Sequence, residues 1–253
     1  MPSLIAFREH FGVETSGSRI AIVIAAMSIG NAVASLFQWV SDIIGRRGTA
    51  FMGNVILVIG CVLQAAAPNH AVLVVGRLIG GAGCSLSATV GPMYMSEVAP
   101  TAYRGLAVGL YCSLYSVGAI IIAVVLFGGS YMTGDWSWRM PMIFQLVPPV
   151  IVALMIYPFT PESPRYLVMK GRIQEAKEVI AKYQTASEST DDPIVEAQIT
   201  QMQQASEMAE ARPWDFRSLW ATKSERYRLM VIVIYAFYWQ FSGTGSFSSW
   251  LCI

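Results

Sequence analysis

Polar and charged residues fall in short clusters along this chain. Between them run six stretches in which nearly every position is apolar: residues 20–40, 50–67, 71–95, 106–127, 141–159 and 229–253. A bilayer's hydrocarbon core is ~30 Å thick and takes about 20 mostly apolar residues per helix. Each stretch therefore predicts a membrane-spanning helix. Buried helices of a large soluble protein would need amphipathic partners, and only residues 161–228 could supply them.

That intervening segment has a different pattern. Pro161 and Pro164 open a short helix that Gly171 closes, and Ile173, Ala176, Val179, Ile180 and Tyr183 recur at helical spacing in the next. A polar stretch, residues 185–193, leads into a Gln-rich helix through Ala211. Beyond it, Trp214, Phe216, Leu219 and Trp220 give an apolar face suited to a membrane surface or a helix end. A solvated connector and a gating element both fit this pattern.

Composition supports the membrane reading. Charged residues are 13% of 253, against ~25% in soluble domains. Ten Lys or Arg and eleven Asp or Glu lie within residues 161–228, leaving seven basic and five acidic residues for the rest. Mean hydropathy is +0.51. A net charge of +1 offers no basic surface for nucleic acid, and the apolar content excludes a disordered chain. The partner implied is the lipid bilayer.

The candidate chemistry is not enzymatic. Cys61, Cys84, Cys112 and Cys252 lie in apolar runs and form no CxxC pair, so they read as buried hydrophobes. His10 and His70 are the only histidines. The sequence contains no Ser-His-Asp set, Cys–His pair, metal-binding motif or paired intramembrane carboxylates. No catalytic residue, metal or cofactor is expected.

Orientation follows from the bias of Lys and Arg toward cytoplasmic loops. Alternate loops place Arg46, Arg47, Arg104 and the ten basic residues after the fifth span on one side, against Arg8, Arg19 and Arg139 on the other. Both termini are then expected outside the cytoplasm. An outside N-terminus without an apolar leader suggests that a preceding helix lies beyond this sequence.

Three constellations share the cytoplasmic side: Asp42-x-x-Gly45-Arg46-Arg47, Glu97 with Arg104, and Pro161-Glu162-Ser163-Pro164-Arg165. The planar fork of arginine can bind a carboxylate bidentately, so such pairs could latch helix ends together in one conformation and release them in another. Arg77 lies inside a span, where an ionisable group usually faces a cavity or a partner. Around it Gly76, Gly80, Cys84 and Ala88 form one stripe of small residues and Gly81, Ser85 and Thr89 a second, which predicts close helix packing. In the last span, residues 239–246 (Trp-Gln-Phe-Ser-Gly-Thr-Gly-Ser) interrupt the apolar run. A glutamine amide there suits hydroxyl groups, and an aromatic ring suits the apolar face of a sugar.

Gly76-Arg77 with Gly81 and Gly83, followed by Pro92-x-Tyr94-x-Ser96-Glu97-x-Ala99-Pro100-x-x-x-Arg104-Gly105, resembles the signature of the sugar porter family of the major facilitator superfamily. The Asp42 loop, the Pro161–Arg165 motif and Gln240-x-Ser242-Gly243 occur in that family's order, so the resemblance runs from its second helix into its seventh. Trp138-Arg139 with Pro141, and the Lys182-Tyr183 region, look most like the fungal hexose and lactose permease branch.

The resemblance implies an all-α membrane protein with a partial major facilitator fold: six transmembrane helices and a cytoplasmic helical connector. Residues 1–159 would be an incomplete N-terminal bundle of five helices, 160–228 the connector, and 229–253 the first helix of the C-terminal bundle. The implied activity is that of a secondary sugar carrier working by alternating access, multi-pass in the plasma membrane, with a hexose or disaccharide as substrate. Asp42, Arg46, Arg47, Glu97, Arg104, Glu162 and Arg165 fall on the family's cytoplasmic gate. Gln240 falls on a sugar-binding glutamine, with Trp239, Thr244 and Cys112 expected beside it. At Cys112 and Trp239 the family usually has glutamines, at Gly245 an asparagine, and at Ile43 an arginine. Arg77 matches the arginine that faces a first-helix Asp in proton-coupled members, and that helix is not in this sequence, so uniport and proton symport both stay open. With about half of a carrier present, this chain alone is expected not to move sugar. A transporter-like nutrient sensor and a nonfunctional truncated gene product are the alternatives, and the oligomeric state is open.

Overall fold

The structure, a computed structural model, describes residues 7, 10, 11, 18–132, 134–185, 189–208, 220 and 222–241. It divides into two compact units, residues 2–204 and 205–253. The first opens with α1 (Ser18–Ser35). The predicted span to residue 40 does not stay α-helical. Phe37 N–H donates to Ala34 O and Val40 N–H to Phe37 O, each at 3.0 Å, the tighter i→i+3 winding of a 3₁₀ turn. That turn sets Gln38 against a later helix, where its Nε2 donates to Ser85 O at 3.2 Å.

α2 (Val40–Ile44) and α3 (Arg46–Ala65) meet at Gly45, whose φ is +95°. A side chain would be strained in that region, and a Cβ would stand 2.7 Å from Glu162 Oε2. α4 (His70–Val98) starts on Asn69, whose side chain accepts from Val72 N–H at 3.0 Å. It packs against α3 and α1 more extensively than any other pair of described helices does. The predicted stripes of small residues explain how. A Cβ at Gly60 of α3 would run into the backbone of Gly80 and lie 3.0 Å from Gly76 O, so the α3 and α4 backbones nearly touch. The second stripe reaches α1 at Gly81, where a Cβ would run into the Met27 backbone, and reaches the turn after α1 through the Gln38–Ser85 bond.

Polar links cross the α3–α4 contact. Gln64 Nε2 donates to Gly76 O at 3.1 Å, besides Gly60 O of its own helix at 3.2 Å, and Asn54 Nδ2 donates to Ser87 Oγ at 2.9 Å. Such bonds average only ~0.6 kcal/mol within membrane bundles. The pair therefore depends chiefly on its close packing.

α5 (Arg104–Ser130) is apolar all round, and Leu110, Leu114, Ile120, Val124 and Phe127 are all more than half exposed, as a helix facing lipid or a second bundle would be. The fifth predicted span begins earlier than expected and is broken. α6 (Trp136–Phe144) and α7 (Val147–Phe159) are separated at Gln145 and Leu146, just before Pro148 and Pro149. Trp138 is wholly buried against the rings of Phe7 and Phe11, with centroids 5.9 and 5.2 Å away.

Among the described residues, four segments are long and apolar enough to cross a membrane: Arg46–Ala65, His70–Val98, Arg104–Ser130 and Trp136–Phe159. The α1 helix is apolar but shorter. In the second unit α11 (Lys223–Phe241, numbered after the connector helices below) starts before the predicted sixth span, whose remainder, residues 242–253, lies outside the described residues.

The connector folds as α8 (Pro164–Met169), α9 (Ile173–Gln184) and α10 (Pro193–Met208). Gly171, φ +74°, ends the first as its sequence predicts. Leu167, Val168, Ala176, Ile180, Ala181, Val195 and Ile199 form one buried core across the three. Tyr183, predicted on the apolar face, is 40% exposed. Trp220 is exposed, and Trp214, Phe216 and Leu219 lie outside the described residues.

Candidate functional site

At one end of the bundle the starts and ends of α2, α3, α4 and α8 meet around Arg46. Its side chain is only 5% exposed. Arg46 Nε donates to Glu97 Oε2 at 3.0 Å and Nη2 to Glu97 Oε1 at 3.2 Å, a fork-to-fork pair. The remaining nitrogen, Nη1, donates to Asp42 Oδ1 at 3.0 Å and Ser41 O at 3.3 Å. Ser163 Oγ also donates to Glu97 Oε2. One arginine thus ties α2, α3 and α4 together, and one carboxylate adds the connector.

Glu162 acts differently from the expected side-chain ion pair. Its Oε1 accepts from the backbone N–H groups of Arg46 at 3.0 Å, Arg47 at 3.2 Å and Ser163 at 3.0 Å. The start of α3 has no cap from Gly45, and a carboxylate from over a hundred residues away fills that place. Free N–H groups and the positive end of the helix dipole both favour an anion there. Arg47 donates Nη2 to Tyr157 O at 3.0 Å and lies 4.3 Å above that ring. Two tyrosines fasten further ends: Tyr94 Oη donates to Pro161 O and Tyr166 Oη to Ile43 O, both at 2.9 Å. Burial, with the Glu162 carboxylate adding and Arg172 and Arg46 opposing, pushes the Tyr166 phenol above its ordinary range.

Two of the predicted gate residues stand apart. Arg104 is exposed at the first turn of α5 and Arg165 is exposed in α8, and neither has an ion pair among the described residues. The expected Glu97–Arg104 pair is absent because both Glu97 oxygens already meet the Arg46 fork, with Ser163 on one of them. Sequence reasoning missed Ser163 and Tyr166 as partners. The Ser163-Pro164 pair signals a helix start, since Ser163 Oγ also accepts from Tyr166 N–H at 3.5 Å. Its second partner could not be read from local spacing.

Inside the bundle, Arg77 Nη1 points to Met27 Sδ at 3.9 Å, and its buried Nε has no hydrogen-bond partner among the described residues. Cys112 is exposed on α5, and Cys61, Cys84 and Cys112 are free thiols. Trp239 and Gln240 lie in α11, their side chains outside the description, and Thr244 lies outside the described residues altogether. Among the described residues no group of three His, Cys, Asp or Glu could hold a metal ion.

Among solved structures, the proton:xylose symporter XylE of E. coli, bound to 6-bromo-6-deoxy-D-glucose, is similar over 82% of this chain and 48% of that one, with a TM-score of 0.72 at 20% identity. The architecture is a partial major facilitator fold in a multi-pass integral membrane protein. A family model described as "Sugar (and other) transporter" matches residues 2–249. MFS-type transporter criB of Aspergillus cristatus is 33% identical over 216 residues, 85% of this chain and 46% of that protein. H(+)/hexose cotransporter 1 of Parachlorella kessleri is 31% identical over 235 residues, 90% of this chain and 42% of that protein. The chain belongs to the sugar (and other) transporter family, and it spans less than half the length of these two relatives.

Proposed function

We propose that this chain forms the first half of a secondary sugar carrier, with the Arg46 cluster as the cytoplasmic latch of its alternating-access cycle. The observation that carries this reading is the buried fork between Arg46 and Glu97, which joins α3 to α4 at the bundle end and is shared with α2 and the connector. Removing one partner of such a pair leaves an uncompensated charge costing ~3–5 kcal/mol. That is enough to move a two-state equilibrium by two orders of magnitude or more. Residues 1–159 supply the latch, 160–228 fasten it, and 229–253 begin the second bundle. Gln240, Trp239, Thr244 and Cys112 contribute to the sugar site, Arg77 serves proton coupling, and Arg104 and Arg165 join the latch in another state of the cycle. The substrate is a hexose or disaccharide and the location the plasma membrane.

The test is to express the complete coding region in cells lacking sugar uptake and to measure labelled hexose and disaccharide accumulation. Saturable accumulation that falls at least tenfold in Arg46→Ala is the expected result. Membrane-inserted protein without saturable uptake would overturn the carrier reading, and binding without accumulation would identify the sensor instead.

A further inference from the structure

The carboxylate at the centre of the latch sits in the last turn of α4, and the end of that helix is poorly provided with backbone donors. Ala99 N–H donates to Met95 O at 3.0 Å, but Pro100 has no N–H to offer. The last carbonyls of a helix need partners from elsewhere. At Glu97 and Val98 the partner comes from the connector: Gln184 Nε2 donates to Glu97 O at 3.1 Å and to Val98 O at 3.2 Å. Both partners are carbonyls, so the side chain must present its NH2 group, which fixes the orientation of the amide. Gln184 is the last residue of α9, and that helix is seated by Ala176, Ile180 and Ala181 in the connector core.

We infer that Gln184 is a positioning residue for the latch: it caps the end of α4 in trans and so holds the Glu97 backbone where its carboxylate can grip Arg46. This inference rests on the latch reading and extends it to a residue that touches neither arginine nor sugar. Glu162 does the reciprocal task at the start of α3, so the two helices joined by Arg46 and Glu97 are each capped at that end by the connector. If the connector withdraws, both caps leave together.

The role depends on the sign of the capping group. A cation at this place suits the negative end of the helix, whereas a carboxylate cannot donate to the two carbonyls and repels Glu97. The reporter is Ser41→Cys, because Ser41 is buried and its carbonyl accepts from Arg46. Maleimide labelling of the purified 253-residue chain is followed in lipid nanodiscs, which leave both membrane faces open, and the rate of the chain without Ser41→Cys is subtracted.

Arg46→Ala serves as the control for the latch and should raise the rate. Gln184→Glu, nearly identical in size, should raise it about fivefold, as expected for a lost hydrogen-bonded cap. Gln184→Lys should leave it within twofold of the parent. Equal increases in Glu and Lys variants would show a packing role only and overturn the inference, as would no increase in Gln184→Glu when Arg46→Ala responds. No response to Arg46→Ala would remove the latch reading, and the inference with it.

Discussion

Single residues of the Arg46 cluster are legible in proportion to how local their signal is. Asp42, Arg46 and Glu97 were found because charges beside apolar spans demand a reason, and they do meet. Nearness in sequence pairs Arg104 with Glu97, yet geometry gives that carboxylate to Arg46, 51 positions away. Glu162 was expected to pair with a side chain and instead caps a helix, which leads to a direct prediction. Glu162→Ala should destabilise the protein by about 1–2 kcal/mol, the usual cost of a lost N-terminal cap, seen as a lower midpoint of thermal unfolding in detergent. A second prediction concerns Tyr166, whose phenol is held above the ordinary tyrosine value of 10.0. A group with a raised folded pKa contributes stability that is complete below its unfolded pKa and lost as pH rises through the folded one. Stability should therefore fall above about pH 10. Tyr166→Phe, lacking the bond to Ile43 O at every pH, should begin less stable and show a smaller alkaline loss when melting is followed from pH 8 to 11.

At the scale of elements, apolar run length located every described span, but the helix ends were set by forces that run length does not encode. The first span tightens into a 3₁₀ turn where Gln38 engages α4, and the fifth breaks ahead of two prolines. The small-residue stripes were more informative than the boundaries, because spacing of four residues on a helix directly specifies a face. The close approach at Gly60 makes that face testable. Gly60→Val has to push against the Gly80 backbone, and overpacking of this kind costs about 1–3 kcal/mol. Gly118→Ala is the matched control, since a Cβ there meets nothing within 4 Å. The midpoint of thermal unfolding should drop for the first variant and hold or rise slightly for the second. Equal behaviour would mean that α3 and α4 are not packed as closely as their glycines indicate.

For the whole molecule, the family was legible from its motifs, whereas the arrangement of the proposed sugar site was not. The residues proposed for it lie on separate segments, Cys112 on α5 and Trp239 and Gln240 in α11, with Thr244 outside the described residues, and no local pattern links such distant positions. Orientation is the property of the whole chain that the sequence argues most directly, because it rests on a sum and not on one contact. Thirteen basic residues are assigned to one side and three to the other, with Arg77 in a span. The structure adds a physical reason for keeping that side together: the connector helices α8 and α9, whose segment 164–184 carries five of the thirteen, are fastened to the Arg46 cluster through Glu162, Ser163 and Gln184. The Arg46 cluster, α8 and α9 and the start of α5 are therefore expected in one aqueous compartment, which the positive-inside bias predicts to be the cytoplasm. Lys177 on α9 is a suitable reporter, since it lies outside the buried core and its distance to Glu196 is a loose 3.9 Å. In intact cells, Lys177→Cys should resist a membrane-impermeant thiol reagent and should react readily once the membrane is permeabilised. A cysteine introduced at Met132, partly exposed in the turn after α5, should show the reverse preference by reacting in intact cells. Rapid labelling at Lys177→Cys before permeabilisation would invert the topology and place the Arg46 latch on the outer face.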